Sequence, residues 1–401
     1  MKIVQNSIYL DQAATSWPKP DVVGTAMLDA LNVAGSPSRS AHAGARKAER
    51  LLSCARKSAA RFFEVGKPDN LIFVPGATSG LNMVLRGLRE TAKLSNCGVF
   101  HVAYSGSEHN AVTRTLAECA RDPLSNQGEA AKRLIEIRLD SEGFICLSHA
   151  EEILHTTPLD AFACQHGSNV TAVIQPIERL AQLCLAHDVP LIVDGSQTGG
   201  HMPISLDKLA RLGVSAWICS GHKGLLGPAG SGLVYLAEGF YPQPQITGGT
   251  GSGDHFIDYS APVRPADYEA GTPALPTIAG LGAATDYLHE HFDENLKQVD
   301  TLTRYLLAGL EKLEGIEILG PTYTSNRLPL VSIIADDKAS EELAFLLEAH
   351  YQIAARAGLH CAPLAHRHAG TYPDGALRFS WNASNTIEEL DTALDALQKL
   401  I

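Results

Sequence analysis

At 401 residues, 45% of them hydrophobic and 19% charged, the chain is longer than one simple core organises, and two domains are expected of an ordinary soluble globular protein. A formal charge of −12 argues against a nucleic-acid partner, whose phosphates need a basic face. No segment approaches the roughly 18–20 uninterrupted apolar residues that span a bilayer, so no membrane partner is expected.

The opening "MKIVQNSIYLDQAATSWPKP" lacks a charged stretch followed by an apolar one and a small-residue cleavage site, which points to a cytoplasmic protein. The eight cysteines, at 54, 97, 119, 146, 164, 184, 219 and 361, include no C-x-x-C pair. They read as mostly buried thiols in a reducing compartment, with Cys361 set apart by its surroundings. From about residue 70 to 236, short apolar runs alternate with helix-like stretches, the βαβ pattern of a largely parallel sheet. The predicted strands are "NLIFVP", "GVFHVAY", "DAFACQ", "PLIVDG", "SAWICS" and "SGLVYL", and "IERLAQLCLAHD" is a helix covering one face. From 241 to about 276, Pro- and Gly-rich sequence marks a loop or interdomain passage. An amphipathic helix follows through "NLKQVDTLTRYLLAGLEKL", and a small α+β unit closes the chain. Its last helix opens on a capping box, Thr386 with Glu389, and lines up Ile387, Leu390, Leu394 and Leu397 on one face.

In open parallel sheets, ligands bind at the carboxyl ends of the strands. The residues directly after the predicted strands are small ones opening a helix ("GATSGLN"), then His109, Asn169, Asp194 with Gln197, and Ser220, His222 and Lys223. The backbone N–H groups of "GATSG" and the hydroxyls of Thr78 and Ser79 suit a phosphate, although many helices start this way for capping alone. A carboxylate ending an apolar strand needs a donor or a cation, which a pyridinium N–H supplies. A lysine at the next strand end can bond an aldehyde. Together these are the requirements of pyridoxal 5'-phosphate.

The chain resembles the class V aminotransferases and, within them, the cysteine desulfurase and selenocysteine lyase group. The motifs are "YLDQAAT", "GATSGLN", "SEHNA", "HGSNVTA", "DGSQ", "SGHKGLLGP", "EAGTP", "RAGLHCAP" and "LRFSWNASNT", in family order from residue 9 to 386. The resemblance implies the α/β fold of type I pyridoxal-phosphate transferases, a large, mostly parallel seven-stranded sheet domain with a small α+β C-terminal domain. Residues 1–20 would be an N-terminal segment near the active site, 21–265 the large domain and 266–401 the small one. It implies that Lys223 bonds the cofactor and then takes the substrate Cα proton. His109 would stack on the ring, Asp194 meet its nitrogen and Gln197 its phenolic oxygen, with Asn169 near that oxygen and the substrate. Ala77, Thr78, Ser220 and His222 would hold the phosphate. Thr272 would reach the phosphate of a partner subunit, implying a homodimer. Arg378, assisted by Arg356, would clamp the substrate carboxylate. Cys361, beside His360 in a loop bounded by Gly358 and Pro363, would attack the sulfur of L-cysteine, keep it as a persulfide for an acceptor protein and release alanine.

Alternatives stand beside this reading. The site also suits a selenocysteine lyase, or an aminotransferase, lyase or epimerase of the same fold that does not use Cys361. A sulfur-relay or scaffold protein with a degenerate site is disfavoured by so many desolvated polar groups. "GGTGSG" (248–253) follows a Pro-rich passage instead of a strand, which argues against a dinucleotide loop. His360, Cys361, His366 and His368 match no common zinc spacing, so no metal is expected. "WNASNT" carries Ser384 where the family more usually has tyrosine. "SPSRSAHAGARKAER" leans to the nitrogen-fixation type and "RAGLHCAP" to the sulfur-mobilisation type.

Overall fold

The computed structural model describes residues 7–33, 35–37, 42–95, 100–121, 133–249, 262–322 and 327–401. Cys97, residues 38–41 of "SPSRSAHAGARKAER" and residues 250–253 of "GGTGSG" lie outside these.

The chain opens with β1 (Ile8–Tyr9), α1 (Asp21–Leu31) and α2 (Ala43–Phe62). The large sheet is then laid down as β2 (Leu71–Val74), α3 (Ala77–Ser95), β3 (Val102–Ser105), α4 (Asn110–Ala120), β4 (Leu134–Ile137), α5 (Leu147–Thr156), β5 (Ala161–Gln165), α6 (Ile177–Ala186), β6 (Leu191–Asp194), α7 (Leu206–Leu212), β7 (Val214–Ser220) and β8 (Gly232–Leu236). Its seven strands lie in the order β2-β8-β7-β6-β5-β3-β4. Only β8 runs against the others, being antiparallel to both β2 and β7. The remaining pairs are parallel.

Both faces of this sheet are buried. Leu71, Phe162, Cys164, Val193, Trp217, Cys219 and Leu233 enter one core. Their strand neighbours Ile72, Ala161, Ala163, Ile192, Ala216, Ile218 and Val234 enter the other. Two-sided burial is why these strands read as unbroken apolar runs instead of alternating ones. All six predicted strands form. β4, of sequence LIEI, was not among them; its first three residues are only partly buried at the sheet edge, and Glu136 interrupts the apolar run.

No regular element occupies the described parts of 241–274. α8 (Leu275–Leu310) follows, 36 residues long, and packs on α1, α2 and the last helix. At Gly282 a Cβ would lie 2.7 Å from the Ala55 Cα, so glycine is what lets α8 approach the α2 backbone. The C-terminal unit is β9 (Ile316–Leu319), β10 (Leu330–Ala335), α9 (Ser340–Tyr351), β11 (Ile353–Ala354), α10 (Pro363–His368), β12 (Leu377–Ser380) and α11 (Ile387–Leu400). An antiparallel sheet in the order β12-β10-β9 packs with α8, α9 and α11 around a separate core. β1 pairs with β11, which ties the N-terminal segment to this unit.

The capping box of α11 forms: Thr386 Oγ1 accepts from Glu389 N, and the Glu389 carboxylate accepts from Thr386 N. Leu390 and Leu397 are buried, whereas Ile387 in the first turn is exposed. The expectation of buried thiols holds for Cys119, Cys164, Cys184 and Cys219. It fails for Cys54, which is exposed on α2, and for Cys146, which is partly exposed at the start of α5. Among the described residues, no helix is long and apolar enough to cross a membrane.

Candidate active site

Because β2, β3, β5, β6 and β7 run the same way, the residues that follow them gather on one rim. A cleft of about 280 Å³ opens there, lined by Ala77, Thr78, His109, Asn169, Asp194, Gln197, Ser220, His222, Lys223, Arg356, Cys361 and Arg378 among others. Every predicted site residue except Ser79 and Thr272 lines this cleft; those two line a neighbouring hollow.

Lys223 follows β7 in a turn that only small residues permit. A Cβ on Gly221 would meet the Ser231 hydroxyl at 2.1 Å, and one on Gly224 the Gly199 carbonyl at 2.4 Å. No hydrogen bond or ion pair with a described residue ties down the Lys223 ammonium. Burial, only partly offset by Asp194, pushes its pKa down to about 8, so the neutral, nucleophilic amine is far more accessible near neutral pH than for an ordinary lysine. Asp194 ends β6, and its Oδ1 accepts from Ser196 N at 3.0 Å and from Ser196 Oγ at 2.5 Å. Its Oδ2 has no bond to a described residue. A carboxylate oxygen left open on a cleft wall suits a cationic N–H.

His109 caps α4, its Nδ1 accepting from Ala111 N at 3.0 Å. Nε2 therefore carries the proton in the neutral ring, and burial holds the pKa below the usual histidine value. Gln197 Nε2 donates to the Ala13 carbonyl at 3.1 Å. The first turn of α3 reaches the cleft through Ala77 and Thr78, and the unbonded N–H groups of a helix start suit an anion. His222 lies opposite with its Nδ1 buried and unpartnered, and burial lowers its pKa to about 4. The His222 carbonyl accepts from Ser16 N at 2.9 Å, Thr15 Oγ1 at 3.1 Å and Lys19 Nζ at 2.9 Å, which fastens the N-terminal segment to the Lys223 turn.

Arg378 lies on β12 and is 2% exposed. It donates to the Asn169 carbonyl at 3.1 Å and to Asp11 Oδ1 at 3.0 Å, and its Nε is buried without a partner. Arg356 pairs with the same carboxylate at 3.0 Å. Two guanidinium groups share one carboxylate, so positive charge remains for an anionic ligand.

Cys361 is exposed, in a loop where His360 and Cys361 both take left-handed φ values, +48° and +56°. Such a conformation costs a non-glycine residue roughly 1–2 kcal/mol, and specific bonds hold it. Asn169 Nδ2 donates to the His360 carbonyl at 2.7 Å, and Asn110 N donates to the Cys361 carbonyl at 2.8 Å. The Asn169 Oδ1 is left buried and unpartnered. Both ring nitrogens of the neighbouring His360 are engaged away from the thiol, with His366 Nε2 at 3.0 Å and the Arg356 carbonyl at 3.2 Å. His368 binds Glu136 at 3.0 Å. No metal-holding group of His, Cys, Asp or Glu occurs among the described residues.

Thr272 lies apart, in a neighbouring hollow of about 720 Å³ that also touches Thr78. Its "EAGTP" segment is held by Glu269, which pairs with buried Arg56 at 2.7 Å and accepts from Phe73 N at 2.6 Å. Ser384 bonds Asn382 at 2.6 Å and lines a third hollow beside Lys19 and Leu296. Sequence reasoning missed Asp11 and Glu108. Asp11 stands in the quoted "YLDQAAT", yet nothing in the order of residues brings it to Arg378. Glu108, buried beside His109, accepts from Gln165 N at 2.7 Å, and burial raises its pKa to about 8.

The aminotransferase class-V family model matches residues 8–393. A probable cysteine desulfurase of Pseudomonas aeruginosa is 32% identical, the alignment covering 98% of this chain and 93% of the relative. A probable cysteine desulfurase of Pyrococcus abyssi is 28% identical over 100% of this chain and 95% of the relative. The apo structure of a cysteine desulfurase from Thermococcus onnurineus superposes with a TM-score of 0.86 at 27% identity, covering 98% of this chain and 94% of that one.

Proposed function

We propose, from the premise that the chain belongs to the aminotransferase class-V family, that it is a pyridoxal-phosphate-dependent cysteine desulfurase. It takes sulfur from L-cysteine onto Cys361 and releases L-alanine. The observation that carries this is one cleft lined by a partly buried lysine, an open carboxylate, a buried arginine and an exposed thiol.

The residues present fit the cofactor. Asp194 Oδ2 would hold the ring N–H, the Lys223 amine would hold the aldehyde carbon, and Ala77, Thr78, Ser220 and the unpartnered His222 Nδ1 would hold the phosphate. Neutral His109 would support the ring, Gln197 would serve the phenolic oxygen, and Asn169 would serve that oxygen and the substrate. When bound, the cofactor supplies a sink for the electron pair left on the substrate Cα. Arg378, with Arg356, binds the substrate carboxylate. Lys223 takes the Cα proton and later returns one. The Cys361 thiolate attacks the substrate sulfur: an S–S bond forms, the C–S bond breaks with its electron pair passing to carbon, and carbon is reprotonated. Cysteine and the thiol thus give alanine and a persulfide with no external oxidant.

In this reading residues 1–20 form the N-terminal segment, 21–265 the cofactor domain and 266–401 the small domain. Thr272 reaches the phosphate of a second subunit in a homodimer, which explains its distance from its own cleft. The free thiols suit the reducing cytoplasm, where an acceptor protein collects the sulfur. Alanine and Cys361 persulfide formed from L-cysteine, with selenocysteine and cysteine sulfinate as comparisons, test the assignment. Cys361→Ser is expected to bind cofactor yet form no alanine from L-cysteine; normal turnover by that variant excludes the mechanism.

A further inference from the structure

We propose that His366 is a positioning residue for Cys361, acting through His360 in a buried hydrogen-bonded chain that fixes the left-handed turn carrying the thiol. The inference rests on the reading of Cys361 as the sulfur acceptor.

The chain runs from Thr371 through His366 and His360 to the Arg356 carbonyl. Thr371 Oγ1 lies 2.7 Å from His366 Nδ1, His366 Nε2 lies 3.0 Å from His360 Nδ1, and His360 Nε2 lies 3.2 Å from the Arg356 oxygen. A carbonyl only accepts, so His360 Nε2 carries a proton and its Nδ1 accepts. His366 Nε2 must then donate, leaving His366 Nδ1 to accept from the Thr371 hydroxyl. Each of the four ring nitrogens has a partner, and one tautomer of each ring satisfies them all. His360, His366 and Thr371 are 6%, 0% and 7% exposed, and burial keeps both imidazoles neutral, at about 3 for His360 and about 4 for His366. A fully satisfied buried network of this kind rigidifies what it is attached to.

The turn needs such support. His360 and Cys361 are consecutive non-glycine residues at positive φ. Their carbonyls are held by Asn169 and by the Asn110 backbone, while the His360 ring is tied to His366 and to the Arg356 carbonyl. Loss of the His366 donor leaves His360 Nδ1 unpaired in a buried site, and rotating the ring to find another partner releases the turn. The exposed thiol then leaves its place in the cleft that Arg378 also lines. A small displacement of a nucleophile is costly to rate.

The test uses full-length enzyme loaded with pyridoxal phosphate and L-cysteine as substrate. His366→Leu is expected to lower kcat by about tenfold or more, with KM and the visible cofactor band changed by less than about twofold. Alkylation of Cys361 by iodoacetamide, located by mass spectrometry, is expected to change by about threefold or more as the thiol loses its fixed position and access. His366→Gln donates from Nε2 and accepts on Oε1, so it should reverse most of both effects. If His366→Leu does not fold, Thr371→Val against Thr371→Ser makes the same comparison one bond further out. Wild-type kcat and alkylation in the apolar variant, or a glutamine variant no better than leucine, overturns the positioning role. Normal alanine release by Cys361→Ser would instead overturn the desulfurase reading, so the two failures are distinct.

Discussion

The carboxylate of Asp11 lies 3.0 Å from a guanidinium nitrogen of Arg378, although the two residues are 367 positions apart. The pair aims Arg378 into the cleft, where the Asn169 carbonyl takes a second N–H and Nε waits without a partner. Lysine keeps the charge at this position but not the planar fork that pairs with a carboxylate through two parallel bonds. Arg378→Lys is therefore expected to raise KM for L-cysteine by about 10–100-fold, the equivalent of one charge-assisted hydrogen bond, with a smaller effect on kcat. Steady-state alanine formation measures both, and an unchanged KM removes Arg378 from substrate binding.

Lys223 sits with its pKa pushed down to about 8 by burial, so before it bonds the cofactor it burdens the fold. Below pH 8 the folded protein must hold a buried ammonium, a cost present in full. Between about 8 and 10.5 the unfolded chain binds the proton that the folded chain has released, so this residue makes stability rise with pH. Lys223→Met should therefore stabilise the cofactor-free protein at pH 7, by up to about 3 kcal/mol. That advantage should shrink towards zero as pH approaches 10. Urea midpoints of variant and parent at pH 7 and 9.5 decide it, and a pH-independent difference contradicts the assignment. The same substitution removes the visible band of the loaded enzyme.

How much of this was legible beforehand depends on distance along the chain. β2, β3 and β5 to β8 announce themselves because both sheet faces are buried, and the strand ends then locate Lys223, Asp194 and His109 without knowledge of any contact. β4 stayed hidden because, unlike the other edge strand β2, its first three residues are only partly buried, and a glutamate is tolerated among them. Asp11 was invisible as a site residue because β1 reaches the cleft only by pairing with β11. The bonds of His360 were hidden for a related reason: they depend on the left-handed backbone at 360 and 361 and on contacts of its ring with His366 and the Arg356 carbonyl, none of which adjacency to Cys361 shows.

Two glycines make a matched test of what holds Asp194 in place. A Cβ on Gly195 would fall 2.0 Å from Trp217 Cζ2, beneath the rim and next to Asp194. Trp217 is fully buried, so the indole has nowhere to go without parting β6 from β7. Gly195→Ala should cost about 1–3 kcal/mol of stability through overpacking and weaken pyridoxal phosphate binding as Asp194 shifts. Gly24 sits in α1, exposed, with nothing within 4 Å of an added Cβ. Gly24→Ala should instead stabilise the protein by about 1 kcal/mol, because alanine favours the helix interior and loses less entropy on folding. Thermal midpoints of the two variants should move in opposite directions from the parent, and only Gly195→Ala should change the cofactor Kd. If Gly195→Ala were neutral in both measurements, the contact between Trp217 and the Asp194 turn would not be what sets the carboxylate's position.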